Sequence, residues 1–100
     1  MAEVVTIVRG LIQPDRVHEV ADPYAEALKD GPPPDLEETF LLKGNGQLAI
    51  LSVWHRRADL DAMLASGEEP FARRLIRAAG GTPEVLIYEV VARARTGEAS

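Results

Sequence analysis

Residues 4–12, VVTIVRGLI, limit the possible folds more than any other stretch of the chain. They are rich in β-branched side chains, which suit a pleated strand. Both alternate sets are mainly apolar: Val4, Thr6, Val8 and Gly10 on one side, Val5, Ile7, Arg9 and Leu11 on the other. Successive side chains of a strand point to opposite faces, so a strand that is apolar on both must be covered on both. The fold therefore has to supply two layers over this one strand.

The next segment, QPDRVHEVADPYAEALKDG, places Pro14 as a first helical residue and Gly31 as a stop. Val17, Val20 or Ala21, Tyr24 and Leu28 recur at helical spacing, and Asp22 followed by Pro23 predicts a kink or break between two helical pieces. GPPPD reads as a stiff extended connector. LEETFLLK (36–43) and QLAILSVW (47–54) are two strands separated by GNG, whose residues tolerate the positive φ of a tight turn, so they predict an antiparallel hairpin. ADLDAMLAS (58–66) and EPFARRLIRAAGG (69–81) carry apolar stripes at helical spacing, Leu60, Met63 and Leu64 in one and Phe71, Leu75, Ile76 and Ala79 in the other. EVLIYEVVARA (84–94) is the last strand, and RTGEAS is expected to be a disordered tail.

The order strand, helix, strand, strand, helix, strand is that of an α+β, ferredoxin-like split βαβ fold, a four-stranded antiparallel sheet with its helices on one face. Residues 1–94 form one domain, and 95–100 the tail. No further helices are left for the other sheet face. The expectation is a homodimer through the sheet faces, in which a second copy covers what the helices do not.

With 100 residues, 46% apolar and 27% charged, the chain has the composition of a single soluble domain. It has no cysteine, and so no disulfide, thiolate metal site or Cys nucleophile. No apolar run approaches the ~20 residues of a spanning helix, and MAEVVTIVRG lacks a secretory pattern, which predicts a cytoplasmic protein without a membrane partner. Residues 1–50 hold four Lys/Arg against nine Asp/Glu, whereas 51–100 hold seven against seven. That acidic-to-neutral balance argues against nucleic acid. Arginines 56, 57, 73, 74 and 77 lie beside acids and read as paired, solvated helix faces.

Several of these features together resemble one family. They are the βαββαβ plan, the IQPDR lead-in to the first helix, the chain's single Trp in LSVWHRRADLDAML, and the short helix pair before VLIYEV. The chain is similar, over about residues 4–94, to the antibiotic biosynthesis monooxygenase (ABM) domain. The resemblance implies a homodimer whose sheets pack face to face into an α/β barrel, with a pocket between sheet and helices in each subunit. It also implies oxygenation of an aromatic or polyketide-like small molecule without metal or flavin. The haem-degrading branch matches at Trp54 but has Asn where Val8 stands and a His ligand on its second helix, whereas 58–79 contains no His. The reading is therefore a cofactor-independent monooxygenase with no metal, flavin or haem. The alternative is a non-catalytic homodimer that binds a small ligand or serves structurally.

Trp54 shares a strand face with Leu48, Ile50 and Ser52; if that face meets the helices, the indole borders the pocket and its N–H can meet a ligand. The competing reading is a core plug at the sheet edge. Trp54 and His55 are the candidate catalytic residues, the latter as a general base. Trp54, Tyr24, Val8, Ser52, Met63 and Phe71 are the candidate substrate-binding residues, and Tyr88 could offer a second phenol. His18 and Asp22, one helical turn apart, are two ligands rather than a metal site. No phosphate-cradling Gly-rich loop or G-x-S-x-G motif is present.

Overall fold

Four segments with strand periodicity become four strands in the computed structural model of the chain, which describes residues 3–67 and 69–94. β1 (Val4–Leu11) pairs antiparallel with β3 (Gln47–Trp54) on one side and with β4 (Glu84–Glu89) on the other. β2 (Leu36–Gly44) flanks β3, giving the order β2-β3-β1-β4. The strand that is apolar on both faces is thus a central one. The fold is the α+β ferredoxin-like plan. Gly44 and Gln47 pair across the two-residue turn Asn45–Gly46, in which only Gly46 takes positive φ, at 69°.

α1 (His18–Ala27), α2 (Arg57–Ala65) and α3 (Phe71–Ala78) supply one layer. Val8, Leu48 and Ile50 of the sheet form a core cluster with Val20 of α1 and Leu75 and Ile76 of α3. A second cluster joins Val4 and Trp54 to Leu60 of α2. The other sheet face carries Val5 and Ile7 of β1, Ala49 and Leu51 of β3, Phe40 and Leu42 of β2, and Leu86 and Tyr88 of β4. None of these belongs to either cluster, and Phe40 and Tyr88 are 44% and 54% exposed.

Three expectations are corrected. The first helix does not start at Pro14 or break at Pro23. A 3₁₀ turn (Pro14–Arg16) precedes α1, which then runs unbroken with Pro23 inside it. Pro23 is exposed, so the carbonyl its missing N–H leaves unserved can turn to water. β4 ends at Glu89 rather than reaching 94, because its partner β1 begins at Val4, opposite Glu89. The chain beyond β4 adds one bond, Val90 N–H to the Glu3 carbonyl at 2.9 Å, and Arg93 then pairs with Glu3. The last helix, Phe71–Ala78, is also shorter than the expected 69–81, whereas α2 keeps its expected length. The predicted tail, 95–100, lies outside the described residues.

Gly10 of β1 faces Ile76 of α3. A Cβ there would stand 2.5 Å from Ile76 Cγ2 and 3.3 Å from the Thr82 carbonyl oxygen. Ile76 is fully buried and has little room to give. Gly10→Ala is expected to lower stability by about 1–3 kcal/mol, as overpacking does, measured by urea unfolding. An unchanged midpoint would mean that α3 can lift off the sheet freely.

Candidate functional site

The strand register sorts the helix-facing side chains into rows across the sheet. One row is Leu41, Ile50, Val8 and Val85, and another brings together Leu36, Trp54 and Val4. Between them runs Thr39, Ser52, Thr6 and Ile87. Large apolar residues on either side reach up to the helices, whereas the three hydroxyl residues stop short. The core accordingly divides into its two clusters, and a cavity of about 290 Å3 opens above the short row. That volume is at the small end of the ~300–1,000 Å3 usual for small-molecule sites.

A bulge in β2 helps to build this floor. The register shifts between Leu36 and Glu38, so Leu36 and Thr39 face the same side although they are three residues apart. Buried hydroxyls need partners, and these have them. Tyr24 Oη of α1 lies 2.9 Å from Thr39 Oγ1, which lies 3.3 Å from Ser52 Oγ. Trp54 Nε1–H donates to Thr6 Oγ1 at 3.0 Å. The indole N–H is therefore held by the floor rather than aimed at a ligand, contrary to expectation. Trp54, 8% exposed, is both a core residue packed with Val4 and Leu60 and part of the cavity wall.

α2 contributes Leu60, Met63 and Leu64 to the wall, α3 contributes Phe71, Ala72 and Arg73, and the proline-rich connector contributes Pro33 and Asp35. All six expected binding residues, Trp54, Tyr24, Val8, Ser52, Met63 and Phe71, line this one cavity. His55 does not. It is exposed beyond the end of β3, where its backbone N–H donates to the Asp35 carbonyl at 3.2 Å. Tyr88 lies on the opposite sheet face beside Val5. His18 and Asp22 gain no third partner, and among the described residues no group of three His, Asp or Glu side chains could hold a metal ion.

The arginine-rich helix faces are only partly as expected. Arg56 pairs with Asp59, Arg57 with Asp61 and Arg77 with Glu69, while Arg74 lies over the Phe71 ring. Arg73 is different. It joins the cavity wall, and its Nε is buried without a hydrogen-bond partner. Sequence reasoning missed it, along with Thr6, Thr39 and Asp35.

Outside the cavity, Glu19, Asp59 and Glu69 are held below the usual carboxylate range, chiefly by hydrogen bonds from Arg16, Arg56 and Arg77. A lowered folded-state pKa gives stability that is present above the ordinary carboxylate range and is lost as pH falls through the lowered value. Arg77→Met should therefore lower Tm slightly near neutral pH, with the difference from wild type closing in strong acid and in high salt, as for exposed pairs. A difference that persists in acid would mean that Arg77 acts through packing.

No helix among the described residues is long and apolar enough to cross a membrane. No protein-family model matches the chain, and no curated protein matches it. Solved structures do. A protein of unknown function from Nitrosomonas europaea, NE2512, superposes with a TM-score of 0.67 at 20% identity, over 98% of each chain. Rv0793 from Mycobacterium tuberculosis superposes with a TM-score of 0.50 at 16% identity, over 95% of this chain and 99% of that one. A variant of SnoaB, a cofactor-independent oxygenase from Streptomyces nogalater, superposes with a TM-score of 0.60 at 18% identity, over 96% of this chain and 98% of its own. At these identities the likeness is one of fold, and this chain shares the fold of those three proteins along nearly its whole length.

Proposed function

We propose that this chain is an ABM-type, cofactor-independent monooxygenase for an aromatic or polyketide-like small molecule, acting as a homodimer through its outer sheet faces. The observation that carries this reading is the apolar cavity with a hydroxyl floor between sheet and helices, in a fold shared with an oxygenase of that kind. Oxygenation without a cofactor needs a substrate whose carbanion is electron-rich enough to reduce dioxygen. The protein must bind it, take a proton and keep water out. The walls supply the apolar enclosure, and Ser52 and Thr39 can hydrogen-bond a ligand oxygen. Proton removal is assigned to Asp35, the only carboxylate in the wall among the described residues.

Anthrone is a suitable probe, because one molecule and one O2 give anthraquinone and one water. Saturable O2 uptake above the uncatalysed rate, with a chelator present, is expected, and Asp35→Asn should lower kcat more than it raises KM. Turnover that requires added flavin or metal would sink the reading. Trp54→Phe keeps a ring but leaves Thr6 without its donor, so stability should fall by about 1–2 kcal/mol while turnover falls further. A second reading, a non-catalytic ligand-binding dimer, is favoured by two observations: among the described residues the wall contains no histidine, and the Trp54 N–H is already engaged. Saturable binding of anthrone without O2 uptake would select it.

A further inference from the structure

Arg9, Arg16, Arg56, Arg57, Arg77 and Arg93 each pair with a carboxylate. Arg74 lies over the Phe71 ring, 5.7 Å from its centroid. Among the described residues Arg73 has no such close ion pair, although its charge helps to hold the Glu69 carboxyl low; α3 carries it into the wall of the cavity, and its Nε is buried without a hydrogen bond. A guanidinium cannot shed its charge by deprotonating, and a buried donor left unpaired is costly. A buried, unpaired donor beside a cavity calls for an explanation, and a ligand supplies one once the Arg73 side chain turns its Nε, closed to solvent as it lies, toward the cavity.

We infer that Arg73 is the anion anchor of this cavity, and that the molecule it takes is a planar apolar acid with its carboxylate seated on the guanidinium. The Nε–H and the neighbouring Nη–H of an arginine are parallel donors that match the two oxygens of one carboxylate. Beyond the hydroxyl floor and the Asp35 carboxylate, the remaining walls, from Ile50, Trp54, Met63 and Phe71, offer apolar surface, and there is no second cation among the described residues. In such surroundings an ion pair is much stronger than in water, so Arg73 selects for charge and the walls select for shape. This refines the proposed substrate to the acidic members of its class and rests on that reading only for the word substrate, since the selection is one of binding.

Two probes of nearly the same shape test it: anthraquinone-2-carboxylate and 2-(hydroxymethyl)anthraquinone, titrated calorimetrically into the wild-type protein and into Arg73→Met and Arg73→Lys. The wild type should bind the carboxylate at least tenfold more tightly than the alcohol. Arg73→Met should lose that preference while binding the alcohol within about threefold of wild type, which also shows that the cavity is intact. Arg73→Lys, which keeps the charge but not the paired donors, should fall between them. Equal wild-type affinity for the two probes, a preference that survives Arg73→Met, or no binding of either probe by the folded protein would overturn the inference. Because nothing is turned over, failure of the oxygenase reading leaves these affinities unaffected, and equal wild-type affinity for the two probes does not bear on O2 uptake by anthrone, which carries no carboxylate.

Discussion

Trp54→Ala is expected to lose about 3–5 kcal/mol of folding stability, the cost of removing a large buried aromatic. Three features of the structure put it toward the upper end. Val4 and Leu60, both 1% exposed, lose the ring they pack against. Thr6, itself buried, loses the donor that reaches it at 3.0 Å. The vacated volume also adjoins a cavity already present, so collapse of the surroundings has little to fill it with. Urea unfolding followed by circular dichroism measures the loss. A change below about 1 kcal/mol would mean that the ring is a loosely held lid. The same variant should bind aromatic probes poorly, because its cavity has lost a wall.

Leu51→Lys should convert a dimer to a monomer and lower its thermal stability sharply. Leu51 lies between Ile7 and Phe40 on the outer sheet face, with Leu86 beyond Ile7 on β4. In the proposed homodimer this position is near the middle of the interface, where an unpaired ammonium costs about 3–5 kcal/mol per copy. In a monomer the same lysine would point into water and cost almost nothing. The two arrangements are therefore separated by the variant as well as by the wild type. Light scattering on the wild type should give a mass twice that of the 10.9 kDa chain at micromolar concentration. A wild-type mass of one chain, together with an unperturbed Leu51→Lys, ends the dimer reading.

The strands were legible because period-two alternation is local, and the split βαβ plan followed from their order. What the sequence did not show depends on partners far along the chain. β4 stops where β1 has no more residues to offer, a limit set some eighty positions away. Pro23 looked like a breaker by its own chemistry, but it sits on the exposed side of α1, where a missing N–H matters least. The cavity floor is invisible until the register is known, because Thr39, Ser52 and Thr6 align only across three strands, one of them bulged. In the pair Arg73-Arg74, adjacent helical positions differ by roughly 100°. One reaches the cavity and the other an exposed ring, and composition alone gave both the same reading. Trp54 was legible on its face but not in its partner, for the hydroxyl of Thr6 lies 48 residues earlier.

The linked hydroxyls of Tyr24, Thr39 and Ser52 have a further consequence. In each of the two contacts either oxygen can be the donor, and every hydroxyl has one hydrogen to give and lone pairs to receive with. Three such groups in line have two arrangements in which every donation runs the same way. Run from Tyr24 toward Ser52, the chain leaves a free O–H at Ser52; run the other way, it leaves the free O–H at Tyr24 and a bare acceptor at Ser52. A small concerted rotation converts one into the other without moving a heavy atom or creating a charge. The floor therefore has no fixed polarity: it would meet a ketone at Ser52 with a hydrogen and the enol of that ketone with a lone pair, so that a molecule passing between those tautomers would keep its hydrogen bond throughout.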